Sequence, residues 1–149
     1  MPEREFVQTL LDKQLCYLVK LPGTEGYELG FNTTGKYTGD MKECTHIFRA
    51  ACDFKIWFKN ERIKQCFRDA PYEVYAEDFQ RMFGLKIVRV GYGYRNDFAL
   101  DFGKKEVILK FESFRTHRES WRLIAPNENK QLIASNRLCW EPLCAEKTL

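Results

Sequence analysis

The sequence predicts an α+β fold, an antiparallel sheet of hairpins with one or two packed helices, and three observations lead there. Segments that alternate apolar and polar residues recur through the second half, joined by turns too short for a parallel crossover, which takes a dozen residues or more. The pattern Asp53-Phe54-Lys55-Ile56-Trp57-Phe58 is echoed by Asp97-Phe98-Ala99-Leu100-Asp101-Phe102, and the same offset sets Ile63 on Val107 and Phe67 on Phe111. One stretch, after Asp69-Ala70-Pro71, carries the clearest helical period. The echo suits a duplicated hairpin unit, about 47–67 and 91–111, within one domain spanning 1–149. Any two strands share a period of two, so a chance likeness between two strand pairs explains the echo as well as a duplication does.

Taken in order, Pro2 to about Lys13 reads as a helix, with Phe6, Val7, Leu10 and Leu11 as its apolar stripe and Glu3 and Glu5 at the end the helix dipole favours. Leu15, Tyr17, Val19 and Leu21 alternate as a strand; Pro22-Gly23 breaks it, and Tyr27 to Phe31 answers it as the second arm of a hairpin. Asn32 to Asp40 is a loop by composition, and Met41 to Cys52 fits helix or strand. The best helix starts at Asp69-Ala70-Pro71, where Asp69 can cap, buries Tyr75, Phe79 and Met82, and closes at Gly84. Strands follow over Leu85–Val90, Asp97–Phe102, Glu106–Phe111, Ser120–Ala125 and Gln131–Ser135, with turns at Gly103-Lys104-Lys105 and Pro126-Asn127-Glu128-Asn129.

A chain of 149 residues, 44% hydrophobic and 15% aromatic, can bury a core without staples. Its 24 basic and 21 acidic residues leave a net charge of +3, which by itself selects no partner. The cations are unevenly spread, concentrated over Lys42–Arg68 and Lys104–Arg122, within or just after the two echoed hairpins. Nothing at the N-terminus resembles a secretory leader and no apolar run reaches the 18 or so residues of a membrane span, so a soluble, cytoplasmic protein is expected. The six cysteines then read as reduced thiols, several of them small core residues.

Chemistry is sparse. With two histidines, His46 and His117, the one imaginable dyad is Cys44–His46, and residues two apart on a strand do not set a nucleophile against a base. Cys44, His46, Cys52 and Cys66 lack the tight pairing of zinc ligands, as do Cys139 and Cys144. Gly91-Tyr92-Gly93-Tyr94 lacks the ending of a phosphate loop and precedes a strand. Asp97 and Asp101 read as outward acids of a half-buried strand. No catalytic residue, metal site or cofactor is expected.

Two surfaces remain. Phe114-Arg115-Thr116-His117-Arg118-Glu119-Ser120-Trp121-Arg122 combines arginines with a tryptophan, a composition enriched at protein hot spots and at single-strand platforms. Arg115, Arg118, Trp121 and Arg122 are its candidate contacts; the alternative is a charged connection with Trp121 in the core. The second is a sheet face carrying Lys55, Trp57, Lys59 and Arg62, with Lys104 and Lys105 as counterparts in the second hairpin; alternation sets Trp57 opposite to Phe54, Ile56 and Phe58.

The run Asp97-Phe98-Ala99-Leu100-Asp101-Phe102-Gly103, then Val107-Ile108-Leu109-Lys110-Phe111, then Glu119-Ser120-Trp121-Arg122-Leu123 resembles the strand pattern of small uncharacterised bacterial proteins assigned to immunity against polymorphic toxins. The resemblance covers roughly Leu85 to Ala125 and carries no functional residue across. With no catalytic set and a sound core, the chain is expected to be a small cytosolic binding protein that occupies a protein partner, such as an immunity or anti-defence inhibitor, and its basic faces suit an acidic partner. The alternative is a nucleic-acid-binding protein using the basic and aromatic sheet face, and the third reading a ligand-sensing pocket domain.

Overall fold

The structure, a computed structural model, describes residues 2–23, 25–114 and 116–142. The fold is α+β: two antiparallel sheets face each other and two helices close the ends of the space between them. Helix α1 is Pro2–Gln8 and α2 is Tyr72–Gln80. The strands are β1 (Gln14–Lys20), β2 (Tyr27–Asn32), β3 (His46–Ala50), β4 (Phe54–Phe58), β5 (Lys64–Cys66), β6 (Ile87–Tyr92), β7 (Phe98–Phe102), β8 (Val107–Phe111), β9 (Trp121–Ala125), β10 (Lys130–Ala134) and β11 (Leu138–Pro142). One sheet runs β1-β2-β3-β9-β10-β11 and the other β5-β4-β8-β7-β6.

Aromatic rings join the two sheets. Phe48 of β3 lies 4.6 Å from both Phe98 and Phe111 of the five-stranded sheet, and Trp121 of β9 lies 4.7 Å from Phe98. Each such pair adds about 0.5–1.5 kcal/mol beyond the area it buries. Trp121 is 0% exposed and its Nε1–H donates to the Asn96 carbonyl at 2.7 Å, which satisfies the one polar atom of the side chain. At one end α2 brings Phe79 against Tyr27 and Phe54. At the other, α1 sets Phe6 edge-on to Trp140.

Several expectations shift by a few residues or by a face. Helix α1 stops at Gln8, because Asp12 takes a left-handed φ of 68° and donates its N–H to Ile87, turning the chain into β1. Strand β1 carries a bulge between Leu15 and Tyr17, so the simple alternation fails: Leu15 and Leu18 face the main core while Cys16 and Tyr17 face outward. Met41–Cys52 resolves into a short 3-10 turn and β3. Helix α2 starts at Tyr72 after Pro71 as its N-cap, with no side-chain cap, so Asp69 does not cap it; it ends at Gln80 with Arg81 as the right-handed C-cap, and Gly84, at φ 86°, lies in the turns beyond it. Strand β11, in the cysteine-bearing tail, was not expected.

The two echoed hairpins lie side by side in the five-stranded sheet, in the order β5-β4 then β8-β7. Phe54 and Phe98 are both cross-strand partners of Phe111. The second arms diverge: Val107 and Phe111 are buried, whereas Ile63 and Phe67, at either end of the three-residue edge strand β5, are 62% and 50% exposed.

Candidate functional site

Alternation along β4 turns Phe54, Ile56 and Phe58 into the core and leaves Lys55 and Trp57 on the outer face of the five-stranded sheet. The ladder extends these into two rows. Trp57, Ile108, Asp101 and Arg89 stand in register across four strands, and Lys55, Lys110, Ala99 and Gly91 form the next row. Trp57, Ile108 and Ile63 line an open depression of about 430 Å³ flanked by Lys55 and Lys110. A second depression, of about 470 Å³ over Gly91, Ala99 and Lys110, adjoins it across the shared lysine. The small residues at 91 and 99 keep that half of the face low.

Charge is graded along the face. The turn after β4 carries Lys59 and Arg62, the turn after β7 carries Lys104 and Lys105, and the Lys59 N–H donating to the Glu106 carbonyl at 3.1 Å joins the two turns. All four cations are exposed. Lys104 and Lys105 stand at left-handed φ values of 56° and 73°, and the Asp101 carboxylate holds that turn by accepting the Lys105 N–H at 2.9 Å. At the opposite end Lys55 approaches Glu112 at 3.5 Å, while Lys110 makes no ion pair among the described residues. Lys110 and Ile108 went unrecognised in the sequence; the register against Lys55 and Trp57 is what brings them in.

The outer face of the six-stranded sheet is built differently. Its rows are Val19, Glu28, Arg49, Arg122 and Ile133, and beside them Tyr17, Gly30, Ile47, Ile124 and Gln131. Tyr17 crosses Gly30, where an added Cβ would sit 1.9 Å from the ring, and donates its hydroxyl to Glu28 at 2.9 Å. Glu28 also accepts from Nε of Arg49 at 2.6 Å. Arg122 pairs with Glu119 at 2.7 Å and donates to Gln131 at 3.1 Å. Arg118, exposed, lies over the Phe114 ring at 4.3 Å.

Of the arginine-rich segment, Arg118 and Arg122 therefore reach one surface. Trp121 does not: fully buried between Phe48 and Phe98, it presents nothing to a partner, and its expected contact role gives way to the core role. Arg115 lies outside the described residues. Arg49 was missed, because its neighbour Arg122 is far away in sequence.

His46 and the thiols of Cys16, Cys44, Cys52 and Cys66 are buried. Both ring nitrogens of His46 are bonded, Nε2 with the Thr9 hydroxyl at 2.7 Å and Nδ1 with that of Thr45 at 2.8 Å. Burial, with Lys13 nearby, lowers its pKa to about 4. Cys44 faces Cys16 with 3.8 Å between sulfurs. Cys52 and Cys66 are core residues. Among the described residues no three potential ligands converge on a metal position, and no helix is long and apolar enough to cross a membrane. Cys144 lies outside the described residues. Compared with family models, curated proteins and solved structures, the chain matches none.

Proposed function

We propose that the protein is a non-catalytic binding protein that holds single-stranded nucleic acid on the outer face of its five-stranded sheet. The observation that carries this reading is convergence: Lys55 and Trp57 share the open face, and Lys59, Arg62, Lys104 and Lys105, drawn from two separate turns, gather at one end of it. A base lying on the Trp57 indole supplies stacking of about 1–3 kcal/mol, indifferent to base identity. The neighbouring ammoniums of Lys55 and Lys110 lie within reach of its phosphate, and the basic turns take the strand onward. The depression over Trp57, Ile108 and Ile63 has room for a base. A duplex suits the face less, since its bases offer no free ring surface for the indole.

The setting we propose is cytoplasmic, supported by the thiols of Cys16, Cys44, Cys52, Cys66 and Cys139, all of them free. A second reading, a protein-binding inhibitor of the immunity type, is favoured by a different observation: Arg118 and Arg122 border the same outer face as Arg49.

Anisotropy titrations with labelled single- and double-stranded RNA and DNA of about 12 nucleotides, at several salt concentrations, test the first reading. Single strands should bind more tightly than duplexes, with log K falling against log salt at a slope of about −3 for four or five phosphates contacted. Absence of binding at low salt would overturn it.

A further inference from the structure

The six-stranded sheet bears a cleft of about 520 Å³ between the β1–β2 hairpin and the β8–β9 connection, bordered by Leu21, Glu25, Arg49, Arg118 and Glu119. Its charges divide into those already satisfied and those left open. Glu28 is only 9% exposed and has both oxygens occupied, one by the Tyr17 hydroxyl and one by Nε of Arg49. Glu119 is held by Arg122. Arg49 is bonded through Nε alone among the described contacts, its side chain 48% exposed, so the outer edge of its guanidinium remains available. A guanidinium pinned by Nε and offering its two Nη groups is prepared for a bidentate carboxylate. Arg118 has no carboxylate partner among the described residues and is steadied by the Phe114 ring. Among the described residues, the open groups in the cleft are thus two guanidiniums and one carboxylate, Glu25.

We infer that this cleft is a docking site for a protein partner, which inserts an aspartate or glutamate side chain between Arg49 and Arg118 and sets a neighbouring basic residue against Glu25. Charge complementarity selects that occupant. A nucleic acid would bring further phosphates against Glu25 and Glu119, whereas a segment that alternates acid and base meets a matching sign at each point. Leu21 and Ala51 give the stem of the inserted side chain apolar contact. The inference rests on the protein-binding reading and not on the nucleic-acid one, since the two surfaces are the opposite outer faces of the two-sheet core.

The test titrates the isotope-labelled full chain with the capped peptide Lys-Glu-Lys and with its Lys-Gln-Lys twin, following the arginine Nε–H resonances. The glutamate peptide should shift the Arg49 and Arg118 signals saturably and bind about tenfold more tightly than the glutamine twin. Arg118→Gln should abolish that margin while leaving oligonucleotide binding as it was. Arg49→Gln should do the same; because it also unpairs Glu28, the exposed Arg118 variant decides if Arg49→Gln fails to fold. Equal responses to the two peptides would overturn the proposal. So would inorganic phosphate or an oligonucleotide displacing the peptide at equal or higher affinity, which would mark a general anion site.

Discussion

Arg49 and Arg122 stand directly opposite each other on β3 and β9, two cations in register where facing side chains come within about 5 Å. The arrangement holds because each has its own acceptor: Glu28 takes Nε of Arg49, and Glu119 and Gln131 take the Arg122 guanidinium. Glu28→Gln removes one neutralising charge and leaves the pair to repel. We expect a loss of about 1–2 kcal/mol by urea unfolding, smaller at high salt, because Arg49 is partly solvated. A salt-independent loss would point to packing instead.

Gly30 tests the same face sterically. An alanine there collides with the Tyr17 ring, which cannot retreat without giving up its bond to Glu28. Gly30→Ala should cost about 1–3 kcal/mol, and in the background of Tyr17→Ala most of that cost should vanish. Equal costs in both backgrounds would place the strain elsewhere.

His46 makes stability depend on pH. Its pKa is about 4 in the folded protein and near 6.5 when unfolded, so between these values the unfolded chain binds the extra proton. The contribution of His46 is complete above about pH 6.5, falls as pH drops toward 4 and is then level, a total of about 3 kcal/mol. Ring resonances of His46 followed by NMR titration should stay those of the neutral imidazole at pH 5.5. Protonation by that pH would contradict the buried, doubly bonded geometry.

Burial pushes the thiols of Cys16, Cys52 and Cys66 up to about 12 and raises that of Cys44. An aromatic disulfide reagent, with sites located by mass spectrometry, should modify half-buried Cys139 in the native protein and these four only after unfolding. Rapid native labelling of Cys52 or Cys66 would contradict the core assignment.

Trp121 anchors the contact between the sheets, and Trp121→Ala should lower stability by about 3–5 kcal/mol in urea unfolding. A loss under 1 kcal/mol would mean that the ring lies outside the core.

What could be read from the sequence tracks how local each signal is. Helix α2 was legible because Tyr75 and Phe79 repeat at helical spacing and both are buried, whereas its end was not: the helix stops at Gln80, short of Met82 and Gly84. The outward position of Trp57 was legible from a period of two. The bulge at Cys16 was not, since one extra residue swaps the faces of β1 without altering its composition. Strand β3 was ambiguous because Ile47 and Phe48 are both buried, one under the Tyr37 loop and one in the main core. Arg49 and Lys110 escaped notice because their significance comes from cross-strand partners distant in sequence. Trp121 drew attention through its arginine neighbours, although Trp121, Leu123 and Ala125 alternate inward as a core strand does.

The proposed binding of single-stranded nucleic acid depends on Trp57 and its flanking lysines. The most direct measurement compares wild-type protein, Trp57→Ala and Trp57→Phe by anisotropy against one labelled single-stranded RNA, with circular dichroism confirming the fold of each. We expect Trp57→Ala to weaken binding by at least about tenfold and Trp57→Phe to retain most of it, as stacking requires. Wild-type affinity in a folded Trp57→Ala protein would contradict the account.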